Sequence, residues 1–537
     1  MKTMPKLFLA FVVTTGTLTA QNPLINLVVN AASGIPRGLP NSGVAQGSLF
    51  MIWGVGLGSN TFQFAPLPLS TAAGLAGTSI TITVNGTTMT APMYFADTAQ
   101  VIAVMPSNIP AGNGTLTLTY SGKSASSPVT VVPATFGISH GDVYSDDDGF
   151  LVRSIAAATF PDSQYVSDTH TAKPGDTLTI WGTGLGSTPN NGGDTGPAPA
   201  GNIGSAPMVF VGGVPSPSVT YWGRSPNSIP GLDQINFVVP ANAPLGCNVS
   251  IVVQTATPVA VSNAPTIALA ATDGATCSDP AQSLPSYFFG KSGLKTMFLS
   301  LGQYTNVRRN ADGTTTTTTT SEASVSFFQL TEALEMTPGV TSKPSFGSCH
   351  TNAIWGGGIP DLPGGSLDAG LSITLTPPSG NALVLDLQHP GIYNSGSLST
   401  ALPGGTWTLS NGAGGAVAPL RYSFPVPQPV TWTNAAAVTG SPIDLSKPLT
   451  ITWSGGDSNG YVLISGGAGI PFVCAAPTSA GQFTIPPSIL LSLGSVSGGE
   501  LAVSTVALSS IVGTVPGIDA SAEIATFATS AVPVAFK

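Results

Sequence analysis

Glycine-rich runs after an apolar strand are where backbone N–H groups gather round a phosphate, and this chain contains two: MIWGVGLGSN at 51–60 and TIWGTGLGST at 179–188. A dinucleotide site needs a helix directly after the glycines, so that its N-terminal N–H groups meet the pyrophosphate. The first run leads instead into NTFQFAPLPLS and the second into TPNNGGDTGPAPAGNIG. Proline and glycine at that density cannot propagate a helix. Both runs therefore read as turns, with glycines supplying positive φ, each beside a tryptophan (Trp53, Trp181) expected to fill a core.

The other reactive groupings are thinner. GISHG (137–141) and GDSNG (456–460) match the G-x-S-x-G pattern, but a nucleophile elbow needs a strand–turn–helix setting and neither precedes a helical stretch. In SDDDGF (145–150), Asp146, Asp148 and Gly149 stand where the third, fifth and sixth residues of a calcium loop would be. Tyr144 at the first position and the lack of a bidentate Glu exclude an EF-hand. With Asp142, the pair Asp146 and Asp148 is a calcium candidate, set against a solvated acidic turn. Histidines 140, 170, 350 and 389 show no zinc spacing. Glu332 and Glu335, on a short helix expected over Thr331–Met336, read as a solvated face. Tyr221 and Trp222 are adjacent, so on a strand their rings face opposite sides, which makes them candidates for stacking on a sugar. Trp355, Trp407, Trp432 and Trp453 read as core or packing residues. No catalytic or cofactor-binding residue emerges.

The elements that position these residues are strands. Gly 65 and Pro 47 in 537 residues, with 7% charged and 42% hydrophobic, describe an all-β chain with many turns. Net charge −9 without a basic block excludes nucleic acid as a partner. The chain also repeats itself. Val44–Ser59 aligns with Ala172–Ser187, which sets Gly47 on Gly175, Trp53 on Trp181, and glycines 54, 56 and 58 on 182, 184 and 186. Farther on, Pro106 falls on Pro240 and Gly112 on Gly246. Two units of about 110–120 residues with about seven short strands each predict tandem β-sandwiches.

PGDTLTIWGTGLGS, VFVGGVPSPSVTYWG and DQINFVVPANAPLG resemble the IPT/TIG type of immunoglobulin-like domain, and more closely a repeat of uncharacterised bacterial exported proteins. Copy one departs from the pattern, with VAQGSLF where Pro-Gly is expected. SFGSC, LDAG, LSNGAGG, VTWTN and LTITWSGGD resemble the C-terminal β region of the same proteins. The resemblance implies extracellular β-sandwiches and no reaction. The chain then divides into a signal peptide at 1–20, immunoglobulin-like units at 21–135 and 136–275, a linker at 276–285, and further β units at 286–424 and 425–537.

Lys2 and Lys6 before the apolar run Leu7–Val13 support the signal, and no stretch is long and apolar enough for a membrane span. Four cysteines in an exported chain suggest two disulfides of three connectivities; the local set, Cys247–Cys277 with Cys349–Cys474, respects the division into halves, and four buried thiols are the alternative. The reading is a non-enzymatic exported protein, extracellular or at the cell surface, acting in adhesion, in polysaccharide or protein binding, or as a scaffold, with polysaccharide or a cell-surface protein as its partner. The alternatives are an exported hydrolase with its site in 286–537 and a self-associating envelope component.

Overall fold

The computed structural model describes residues 22–71, 74–144, 151–188, 193–197, 200–279, 292–309, 314–330, 344–351, 364–439, 441–467, 471–506, 510–511 and 515–537. The described chain is all-β in class, its regular structure almost entirely strand, arranged in tandem β-sandwich units. Its helices are short, Ala435–Thr439 and Pro487–Leu490. The helix expected at Thr331–Met336 lies outside the described residues, as do the signal segment and Trp355.

The first unit has ten strands: β1 (Leu24–Asn30), β2 (Val44–Ala45), β3 (Leu49–Val55), β4 (Gln63–Phe64), β5 (Thr78–Val84), β6 (Thr87–Thr90), β7 (Met93–Ala96), β8 (Gln100–Val104), β9 (Gly112–Tyr120) and β10 (Lys123–Val132). They form two five-stranded sheets, β1-β3-β8-β7-β4 and β2-β10-β9-β5-β6. Period-two alternation sends Phe50, Ile52, Val101 and Ala103 from the first sheet, and Ile80, Ile82, Leu116 and Leu118 from the second, into one shared core. Each of the Val, Leu, Ile and Phe side chains among them contributes roughly 1.5–3 kcal/mol on burial.

The second unit repeats the plan. Strand Thr177–Thr183 pairs with Asp233–Val238 as β3 pairs with β8, and Leu178 and Ile180 take the core places of Phe50 and Ile52. Trp53 and Trp181 do not fill these cores. Core positions alternate along a strand, so with Ile52 and Ile180 facing in, the next residue faces out. Trp181 is half-buried next to the paired strand Ala158–Thr159, its Nε1 donating to Thr159 Oγ1 at 3.1 Å, whereas Trp53 is exposed.

In the C-terminal half a continuous 14-stranded sheet runs across position 424/425, which falls inside strand Arg421–Val426. Strand Ala520–Phe536 lies parallel to Lys295–Arg309, which forms a long hairpin with Thr315–Leu330, the latter strand opening on six consecutive threonines at 315–320. Both local disulfides are formed, and Cys349 and Cys474 oppose each other across adjacent strands.

Units 1 and 2 are fastened together rather than strung. The Asn30 amide donates to Thr135 O (3.2 Å) and Thr183 O (3.1 Å), and Leu49 N donates to Thr183 Oγ1 at 2.8 Å. Asp194 accepts from Ser107 N and Ser107 Oγ at 2.8 and 2.6 Å. Val252, Val261 and Ala264 of unit 2 belong to a core built otherwise from the C-terminal half. Beside it, Ser345 and Ser348 bond to Asn248 and Ser250.

Candidate functional site

The second glycine loop does cradle an anion, and the anion belongs to the chain. Gly184 N and Leu185 N donate to Asp233 Oδ2 at 2.8 and 2.9 Å. The other oxygen, Oδ1, takes the Arg224 guanidinium, and both side chains are buried. Burial pushes the Asp233 carboxyl upward, opposed by the Arg224 charge and the two N–H donors. Arg224 reaches on to Gly47 O of unit 1 and to Gly186 O at 2.8 Å. In copy one the place of Asp233 is taken by Ala99, and a tight turn replaces the longer loop 225–232. The glycine loop is thus part of the clasp between units, which leaves no room for a phosphate.

Tyr221 and Trp222 lie on strand Val219–Arg224, both half-buried. Tyr221 OH donates to Arg224 O at 2.6 Å and accepts from Gly201 N at 3.3 Å. Trp222 packs against the core of unit 2, and its Nε1 donates to Gly204 O at 3.4 Å. Segment 201–204 therefore lies along both. Trp407, Trp432 and Trp453 are buried. Asp142 is on strand His140–Tyr144, whereas Asp146 and Asp148 lie outside the described residues. Among the described residues no three His, Cys, Asp or Glu side chains gather as metal ligands, and no helix is long and apolar enough to cross a membrane.

Among the described residues, three of the exposed aromatics gather on the outer face of the first sheet of unit 1, a place sequence reasoning missed, while Tyr165 stands apart on unit 2. Phe62 is 74% exposed, Phe64 63% and Trp53 41%, with Leu24, Val55 and Leu67 also open to solvent. Register explains the grouping. Trp53 opposes Gln100, Met51 opposes Ile102, Ile102 opposes Phe95, and Phe95 opposes Phe64, so all share one face. Phe95 is buried under the rings of Phe64 and Phe62, at centroid distances of 5.0 and 5.9 Å, and Phe64 also meets Tyr94 at 5.8 Å. Gln100 lies between the two aromatic groups, its Nε2 donating to Met51 Sδ at 2.6 Å.

At the other end this face is covered: Leu49, Leu69 and Val104 pack with Ile229 and Leu232 from the long loop of unit 2. The exposed end continues that buried interface. The only charged residues of 21–135 are Arg37, Asp97 and Lys123. The outer face of the second sheet is a different surface, with hydroxyls bonded to one another: Thr83 to Thr88 at 2.8 Å, Thr117 to Ser126 at 2.9 Å and Thr119 to Ser124 at 2.7 Å.

No family model matches the chain, and no curated protein matches it. Solved structures similar to it include a titin tandem of Ig domains, at 10% identity over 42% of this chain and 90% of that one, with a TM-score of 0.12. Another is the Bacteroides ovatus mixed-linkage glucan utilization locus protein SGBP-B in complex with a mixed-linkage heptasaccharide, at 12% identity over 87% and 92%, TM-score 0.15. A third is the S-layer protein SbsC, at 10% identity and TM-score 0.16; 96% of this chain is covered but only 54% of that one, so the chain spans about half its length. Identities and TM-scores this low assign neither a family nor a ligand.

Proposed function

We propose that this is a non-enzymatic exported protein of the extracellular space or cell surface, which holds polysaccharide through the aromatic end of the first sheet. The observation that carries the reading is Trp53, Phe62 and Phe64 exposed together on one rigid, nearly charge-free sheet face. Two disulfides support an oxidising compartment. The immunoglobulin-like repeat of the IPT/TIG type supports a scaffold that presents a surface. The test is co-sedimentation of the full chain with a panel of insoluble polysaccharides, beside Trp53→Ala/Phe62→Ala/Phe64→Ala. Saturable retention that the variant loses is expected; no retention of the parent on any polysaccharide sinks the reading.

Self-association is a second reading with an observation of its own. Strand Thr315–Leu330 pairs with Lys295–Arg309 on one side, and on the other its pairing starts only at Ser321 among the described residues. A β-rich edge without charge is a template for another strand. Sedimentation velocity over a concentration series tests it: a single unchanging species removes this reading.

A further inference from the structure

We infer that the ligand is a neutral glycan chain of equatorially substituted hexopyranoses, which lies across the strands of the first sheet from Trp53 over Gln100 to Phe62 and Phe64. The inference rests on the aromatic end of that sheet being the contact face.

Three observations lead there. The first is spacing. In the order β3-β8-β7-β4, Trp53 and Phe64 sit on strands three steps apart, a span of about 14 Å, and Phe62 just before β4 stands with Phe64 over Phe95. A single sugar covers one platform; only a chain reaches both.

The second is the order of chemistry along that span. Trp53 opposes Gln100, and the β7–β8 turn closes beside it with Asp97 N donating to Gln100 O at 2.9 Å. The Asp97 carboxylate is turned back into the turn, where its Oδ1 accepts from Ala99 N and Gln100 N at 2.7 and 2.6 Å. Ring, amide, ring is therefore the sequence a ligand meets. A pyranose whose substituents are equatorial has apolar C–H faces for the rings, and hydroxyls at its rim for the amide.

The third is charge. The face itself presents no Lys or Arg to pair with a carboxylate or sulfate, and the unit carries three charged residues in all. A polyanion would find no partner there, while a neutral chain loses nothing. The face is also continuous with the buried contact of Leu49 and Val104 on Ile229 and Leu232, so the platform is held by two units rather than one.

The experiment is calorimetry of the full chain with soluble β-1,4-linked gluco-oligosaccharides of increasing length, with polygalacturonate and heparin as charged probes, each at low and high salt. Affinity should climb with length until both platforms are covered and then level off, and salt should not change it. Trp53→Ala and Phe62→Ala should each weaken the longest oligosaccharide about tenfold and leave the shortest less affected. Gln100→Ala should weaken it less, and thermal unfolding of all three should match the parent.

Tighter binding of the charged probes that fades with salt overturns the inference, as does affinity that ignores chain length. The two proposals fail differently. Retention on polysaccharide that survives all three aromatic substitutions keeps the binding function and removes this site. Dimerisation of the parent that Trp53→Ala abolishes, without oligosaccharide binding, gives the face to a second copy and overturns both.

Discussion

Asp233 and Trp53 make opposite demands on the chain. Asp233 is buried with Arg224, and truncating one member of such a pair strands the other. Arg224→Met should therefore cost about 3–5 kcal/mol in urea unfolding, and Arg224→Met/Asp233→Leu less than the two single changes together. Trp53→Ala should cost far less, about 1 kcal/mol or below, because the residue faces away from the core of unit 1 and leaves no buried partner unpaired. The sequence hides this difference. MIWGV is apolar on both faces of its strand, so alternation cannot say which face is the core, and identical placement in the repeat looks like a core signature. What lets only the second glycine loop hold a buried carboxylate is one residue, Asp233 where copy one has Ala99, with a loop whose length only makes sense once unit 1 is seen beneath it. Tyrosines 304, 393 and 461 have phenols pushed above their ordinary value, chiefly by burial. Folding thus favours their neutral form: the stabilisation is whole below about pH 10 and is lost as pH rises through that value toward the folded ones. Ultraviolet titration should show these phenols ionising together with alkaline unfolding.

At the scale of elements, what was legible came from local pattern. The repeat and the strand-rich units could be read from alternation and aligned glycines, because each of those units closes within about 140 residues; which residues fill the two cores could not, since the tryptophans expected there lie outside them. The C-terminal half could not be read so far. Alternation marks Ala520–Phe536 as strand, and its antiparallel neighbour Val496–Val506 is close in sequence, but nothing local names the parallel partner on its other side, over 200 residues earlier. Nor does any local signal announce that Val252 and Val261 complete a core with Trp432 and Trp453. Residues 21–135 expressed alone should fold, since their core is their own, whereas 425–537 alone should give the collapsed amide spectrum of an unfolded chain. Reduction tests the same asymmetry. Cys349–Cys474 closes a span of 125 residues and Cys247–Cys277 one of 30, which gives about 4.9 against about 3.7 kcal/mol in the chain-entropy account. Replacing the former pair by serine should lower the urea midpoint more.

Over the whole molecule, the segment that joins units 1 and 2 is itself bonded, with Thr135 N donating to Gly184 O at 2.9 Å and Thr135 O accepting from Asn30. Limited proteolysis should therefore spare 133–137, and the intact chain should scatter as a body without hinge freedom there. This junction has a mechanical meaning. In a string of domains a pull is first absorbed by slack connectors, and each module then gives way in turn. Here the connector has no slack, and tension entering through β1 passes at Asn30 directly into the neighbouring sheet. Load entering unit 1 should therefore be carried as shear across a stapled seam. If the proposed contact face holds a ligand, drag on that ligand would reach unit 2 with little stretch between, as through a stiff strut.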